Sequence, residues 1–236
     1  MNAQRAVHQL LHDPDYFLKH YPVITAGANV AHVANQANIM QFWLSKRDPL
    51  VPGAMPSANV GHYGATRPGR ILSSRIHEIS SFQIITFATP GADTQQINAH
   101  SVPMIPYNHN APINLQQLAP YFLDGASDGV MITGQLSGCC FCWLPVGAQL
   151  WCTHIRPLNP PNFGVQLQNL LHMGGRFNGH VLAPLGTFGR NEYPQHATVI
   201  GVRLHGNWRL YAQVSNDQNR TNALVYRFYP GARVVL

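Results

Sequence analysis

The sequence predicts an α+β protein in which stacked mixed β-sheets form a sandwich-like core surrounded by helices. Two observations lead there. Apolar residues at helical spacing are concentrated in the first half of the chain, and β-branched and aromatic runs dominate the second half, which ends in a meander of alternating strands.

Taken in order, Ala6, Val7, Leu10 and Leu11 predict a helix over residues 1–21. Val30, Val33, Ala34, Ala37, Met40 and Leu44 predict a second over 29–47, closed by Asp48-Pro49. From Val51 to Arg70 the chain is rich in Pro, Gly, Ser and Asn, as a linker or a functional loop would be. SFQIITFAT at 81–89 reads as a strand ended by Pro90-Gly91, and INLQQLAPYFL at 113–123 as a short helix broken at Pro120. GVMIT (129–133) and QLWCTHI (149–155) are buried-strand candidates. Val165, Leu167, Leu170 and Leu171 mark a helix over 163–175 that Gly174-Gly175 stops. TVIGVRLHG, NWRLYAQVS and ALVYRFYP then form the meander, the first two joined by a His205-Gly206-Asn207 turn. No repeat of fixed period occurs. Residues 1–50 are therefore expected to be a helical N-terminal extension packed on a core domain spanning 51–236.

Composition narrows the function. At 236 residues and 45% apolar content the chain can bury a sizeable core. Only 10% of residues are charged, so amides, hydroxyls and thirteen histidines cover much of the surface. The net charge of +6 reflects nine acids against fifteen Lys and Arg rather than basic clusters; only Lys46-Arg47 sets two cations side by side. No stripe of cations interleaved with aromatics is present, which argues against nucleic acid as a partner.

The opening MNAQRAVHQLLHDPDYF lacks a continuous apolar stretch, so no Sec signal peptide is expected and delivery would use another route. The uncharged run from Gly129 to His154 is interrupted by Gly134, Gln135, Gly138, Pro145, Gly147 and Gln149. A buried strand, turn and strand explains it better than a membrane span.

All four cysteines and His154 lie within residues 132–157. Zinc is one reading, but the pairs are C-C, C-x-C and C-x-H rather than knuckles, and adjacent residues on a strand face opposite ways. Disulfides are a second; adjacent cysteines pair poorly with each other. Free thiols packed as small hydrophobes are a third, and this suits Cys140, Cys142 and Cys152 beside Phe141, Trp143 and Trp151. Cys139 differs because Ser137-Gly138 is a turn signal that presents the next residue at the lip of an element, as a nucleophile beside an oxyanion hole is presented. If the chain turns at Pro145-Val146-Gly147, the returning antiparallel strand brings His154 back to Cys139, where an imidazole can take the thiol proton. Thr133 is a candidate to orient that imidazole through its hydroxyl. No Asp or Glu occurs between Asp128 and Glu192, and Arg156, Arg176 and Arg190 are expected to favour thiolate.

Thr133-x-x-Leu136-Ser137-Gly138-Cys139 followed by His154 resembles the L-S-G-C signature of the bacterial glutamine-deamidase toxins, the cytotoxic necrotizing factor catalytic domain and Burkholderia lethal factor. The threonine has the same offset as in the latter. Similar Thr, Gly-x-Cys and His elements occur in the chemoreceptor glutamine deamidases of the same fold. The likeness covers residues 132–157 and, more loosely, the closing meander; residues 1–100 show none.

The resemblance implies a deamidase-toxin-like fold, with Cys139 as nucleophile, His154 as general base and acid, and Thr133 as the histidine's orienting partner. The Leu136-Ser137-Gly138 loop and the Cys139 amide would supply the oxyanion donors. It implies a hydrolase of protein glutamine carboxamides that needs no cofactor or metal. Such a protein is expected to be a monomeric bacterial effector, secreted or injected into a host cytosol, that acts on a regulator such as a small GTPase or translation factor. The departures are Cys140, the extra cysteines and the long N-terminal part. The competing readings are a non-catalytic β-rich binding module and a chemoreceptor-type glutamine deamidase in the bacterial cytoplasm.

Overall fold

The structure, a computed structural model, describes residues 1–25, 39–47, 81–85, 88–107, 121–123, 129–146, 149–158, 163–173, 186–215 and 222–236. It is a mixed α+β fold, mostly strands, with two mixed sheets and three helices among these residues.

Two short helices open the chain, α1 (Ala3–His12) and α2 (Pro14–His20), where a single one was expected. The break is local: Asp13 ends α1 and its carboxylate accepts the Tyr16 N–H at 3.2 Å, while Pro14 occupies the first turn of α2, where its missing N–H costs nothing. Then come β1 (Val23–Ile24), β2 (Ile39–Arg47), β3 (Ser81–Ile85), β4 (Thr94–Val102), β5 (Met104–Tyr107), β6 (Tyr121–Leu123), β7 (Val130–Thr133), β8 (Cys140–Val146) and β9 (Gln149–Pro157). A third helix, α3 (Phe163–Met173), precedes β10 (Gly186–Phe188), β11 (His196–Leu204), β12 (Asn207–Ser215), β13 (Asn222–Tyr229) and β14 (Val234–Val235).

The larger sheet has nine strands in the order β1-β3-β2-β4-β7-β11-β12-β13-β14. The smaller has β10-β8-β9-β5, with β6 also paired to β9. Three apolar clusters stack the layers. Leu10, Phe17 and Leu18 of the first helices pack on Phe42, Phe82, Ile132 and Ile200 of the larger sheet. On that sheet's other face, Met131, Val199, Leu210 and Phe228 meet Phe141, Leu150, Cys152 and Phe188 of the smaller sheet. Leu167 and Leu171 of α3 cover Cys140, Cys142, Trp151 and Ile155 on the far face of the smaller sheet.

The expected helix over 29–47 is corrected in its second part: residues 39–47 are β2, hydrogen-bonded to β3 and β4, and 29–38 lie outside the described residues. Phe42 and Leu44 are buried while Trp43 and Ser45 are half-buried, the two-residue period of a strand with one face on the core. The Met40-to-Leu44 spacing fits both periods, and the pairing partners on either side decide it. The first fifty residues therefore supply sheet strands as well as helices. Residues 121–123, expected to end a helix, are β6, in which Tyr121 pairs with Cys152 and Leu123 with Leu150; the rest of that segment is outside the described residues, as is 51–70. The strands expected over 81–89, 129–133 and 149–155 form as Ser81–Ile85, Val130–Thr133 and Gln149–Pro157, the helix expected over 163–175 as Phe163–Met173, and the meander as β11–β13. Its first turn places His205 and Gly206 at φ 51° and 81°, the left-handed pair a two-residue hairpin requires. No helix among the described residues is long and apolar enough to cross a membrane.

The chain changes sheets at Pro103. Val102, the last residue of β4, pairs with Thr133 in the larger sheet, and Met104, the first of β5, pairs with His154 in the smaller. That crossing brings Thr133 and His154 to one corner.

Candidate active site

Thr133 ends β7 and is fully buried. Its hydroxyl donates to the Val102 carbonyl at 2.9 Å and lies 2.8 Å from His154 Nδ1. A carbonyl only accepts, so the single hydroxyl proton is committed to Val102 and Nδ1 must donate to Oγ1. His154 is thereby fixed as the Nδ1–H tautomer, leaving Nε2 as a bare lone pair. That nitrogen is buried and makes no hydrogen bond. Burial, and then the Arg156 charge, push the imidazole down to about 3, so the ring is neutral.

Cys139 stands one residue before β8. The β8–β9 ladder pairs Cys140 with Ile155 and Phe141 with His154, which sets Cys139 diagonal to His154 on the same face. Cys139 packs in the layer between the sheets with Phe141 and Cys152, whereas Cys140 and Cys142 face α3. Adjacent cysteines thus point to opposite faces, as strand geometry dictates. All four thiols are free and buried. For Cys140, Cys142 and Cys152 burial drives the thiol far up, which suits packing and not chemistry.

At Cys139 the expected thiolate-favouring field is outweighed. Burial raises the thiol, while the Ser137 amide directed at the sulfur and the Arg156 charge lower it. With 4% of its surface exposed, the sulfur has little water to stabilise its charged form. The resting pair is a neutral thiol and a neutral imidazole. Arg190 serves a different purpose, lying over the Tyr193 ring, and Arg176 falls outside the described residues.

The loop before Cys139 is held firmly. Leu136 exchanges both main-chain bonds with Ala197, so its amide is engaged. Gly138 adopts φ +106°, a conformation only glycine takes without strain. Its amide donates to the Tyr193 hydroxyl at 3.0 Å, so it is not an oxyanion donor as expected from the loop. Of the loop amides, that of Ser137 is directed at the sulfur. On the outer side α3 closes the turn. A Cβ on Gly164 would lie 2.6 Å from the Gly138 carbonyl oxygen and 2.7 Å from Arg190 Cγ.

Tyr193 was not evident from sequence. It is 1% exposed, accepts from Gly138 N and donates to the Cys139 carbonyl at 2.6 Å. Its partners are distant in the chain, and no local pattern marks it. The cleft of about 480 Å³ beside this region, lined by Trp143, Asn169, Thr187, Asn191, Glu192 and Arg233 among others, includes none of Thr133, Cys139 and His154. Among the described residues no three His, Cys, Asp or Glu side chains converge as a metal site. Compared with known proteins, the chain matches no protein-family model and no curated protein.

Proposed function

We propose that this chain is a thiol-dependent protein-glutamine deamidase with a deamidase-toxin-like fold, a bacterial effector acting on a host regulatory protein. The observation that carries the reading is the Thr133–His154 bond at 2.8 Å, which leaves a bare Nε2 on the sheet face shared with Cys139. In the reaction Nε2 takes the thiol proton as sulfur bonds to the glutamine carboxamide carbon. The Cys139 amide stabilises the oxyanion, and the proton passes to the departing nitrogen, which leaves as ammonia. Water, deprotonated by the same nitrogen, then cleaves the thioester to give glutamate and free thiol.

The test is intact mass spectrometry of host-cell proteins after incubation with the chain, reading the shift of about +1 Da that amide-to-acid conversion produces. The shift should vanish with Cys139→Ser and persist with Cys140→Ser. A shift that survives Cys139→Ser, or none with the parent protein, overturns the reading. A second reading, a non-catalytic β-rich binding module, is favoured by the burial of Cys139 and its raised thiol; it requires all four cysteines to resist modification in the folded protein.

A further inference from the structure

From the two hydrogen bonds of one buried hydroxyl we infer that Tyr193 is a positioning residue that aims the Cys139 main-chain N–H at the oxyanion; the inference rests on the acyl-transfer chemistry proposed for Cys139. The Gly138 N–H and the Cys139 carbonyl lie on either side of the peptide that carries the Cys139 N–H. With both tied to the Tyr193 oxygen, at 3.0 and 2.6 Å, the intervening peptide plane has little freedom to rotate. An oxyanion donor gains its effect from being held in place before charge develops, because no reorganisation is then needed at the moment of attack.

The clamp is itself braced. Phe188 stacks on the Tyr193 ring at 6.0 Å and the Arg190 guanidinium lies 5.6 Å from its centroid. The turn leading into Tyr193 is fixed by Glu192, whose carboxylate accepts the Gly189 N–H at 2.8 Å and the Gln168 side-chain amide at 2.7 Å. Gln168 Oε1 accepts the Asn191 N–H at 3.1 Å. The hydroxyl position is therefore referenced to α3 and β10, not to the flexible reach of a lone side chain. Burial, together with the neighbouring Cys139, pushes the phenol far above its ordinary range, so it stays an O–H donor at any working pH.

The experiment compares two reactions of Cys139 that differ in their need for an oxyanion donor. Acylation by p-nitrophenyl acetate forms a bond from sulfur to the acetyl carbon, develops an oxyanion, passes the thiol proton to His154 and expels p-nitrophenolate. Alkylation by iodoacetamide displaces iodide at carbon and develops no oxyanion. Tyr193→Phe keeps the ring and removes the hydroxyl. It should slow acylation of Cys139 about tenfold to a hundredfold while alkylation changes less than about threefold. Cys139→Ser identifies the signal. Equal slowing of both reactions shows a general structural role and overturns the inference, as do unchanged acylation and a parent Cys139 that takes neither reagent. If the selective effect appears but no glutamine is deamidated, the deamidase reading falls while the positioning role stands.

Discussion

Replacing Thr133 by Val removes one hydroxyl and keeps the shape. Thr133 is fully buried, and its oxygen serves two groups: it accepts from His154 Nδ1 at 2.8 Å and donates to Val102 O at 2.9 Å. The substitution leaves the Nδ1–H as a buried donor without its partner, a cost of about 1–3 kcal/mol, and takes one bond from the carbonyl, about 1 kcal/mol more. The total of roughly 2–4 kcal/mol converts, for a chain of 236 residues, to a Tm lowered by about 5–15 °C. The second effect is chemical. Without the acceptor at Nδ1 the ring no longer prefers the tautomer with a bare Nε2, and the proposed Cys139-dependent deamidation should drop at least about tenfold, as expected for a disabled general base. Scanning calorimetry measures the first effect and mass spectrometry the second, with Thr133→Ser as the variant that restores both. A Thr133→Val protein that melts within about 1 °C of the parent at unchanged rate would refute the argument that this hydroxyl holds the imidazole.

The His154 ring, neutral down to about pH 3 in the fold against an ordinary value of 6.5, binds its proton more readily when unfolded. Its share of stability is full above that ordinary value and is lost as pH falls towards 3, at about 1.4 kcal/mol per pH unit in between. Urea midpoints at pH 7.5 and 4.5 should therefore differ more for the parent than for His154→Gln, and equal differences would contradict the assignment. Gly164→Ala places a methyl 2.6 Å from the Gly138 carbonyl, so the first turn of α3 must move off the loop. It should cost about 1–3 kcal/mol and speed alkylation of Cys139, read by calorimetry and thiol labelling. Deleting residues 1–48 removes α1, α2, the edge strand β1 and β2, the strand between β3 and β4. The truncated chain should lose its cooperative melting transition, and a sharp one would show the core independent of that strand.

The parts of the fold visible in the sequence are those where one short-range period dominates. Val130–Thr133, Gln149–Pro157 and the meander are strand-like in composition and are strands. The diagonal placement of Cys139 and His154 follows from a turn signal and a tight return, both local. β2 was hidden because its apolar spacing satisfies two periods, and only β3 and β4 choose between them. Tyr193 was hidden for a different reason: its hydroxyl meets Cys139 across 54 positions of chain, a separation no window of periodicity spans. Cys139 is buried in the layer between the two sheets, a long-range outcome, so charge counting along the sequence pointed to an activated thiol where the fold holds a neutral one.

That neutral pair constrains how any chemistry at this corner proceeds. Arg156 acts in opposite directions on the two groups, favouring the charged form of the thiol and disfavouring that of the imidazole, while burial opposes charge on both. Burial holds the thiol above its ordinary range and the imidazole below its own, so each group favours its neutral form. A resting ion pair is thus the wrong picture for this site. In the proposed reaction the proton moves as the sulfur–carbon bond forms, with the Cys139 amide stabilising the developing oxyanion and Thr133 the imidazolium. The rate then depends on how exactly that amide and that imidazole are held, more than on the acidity of the free thiol. This places the kinetic weight on Thr133 and Tyr193, one hydroxyl fixing the base and the other the peptide. It also means that a reagent sensing thiolate alone will find Cys139 sluggish at neutral pH, even where an acyl donor that reaches both fixed groups reacts.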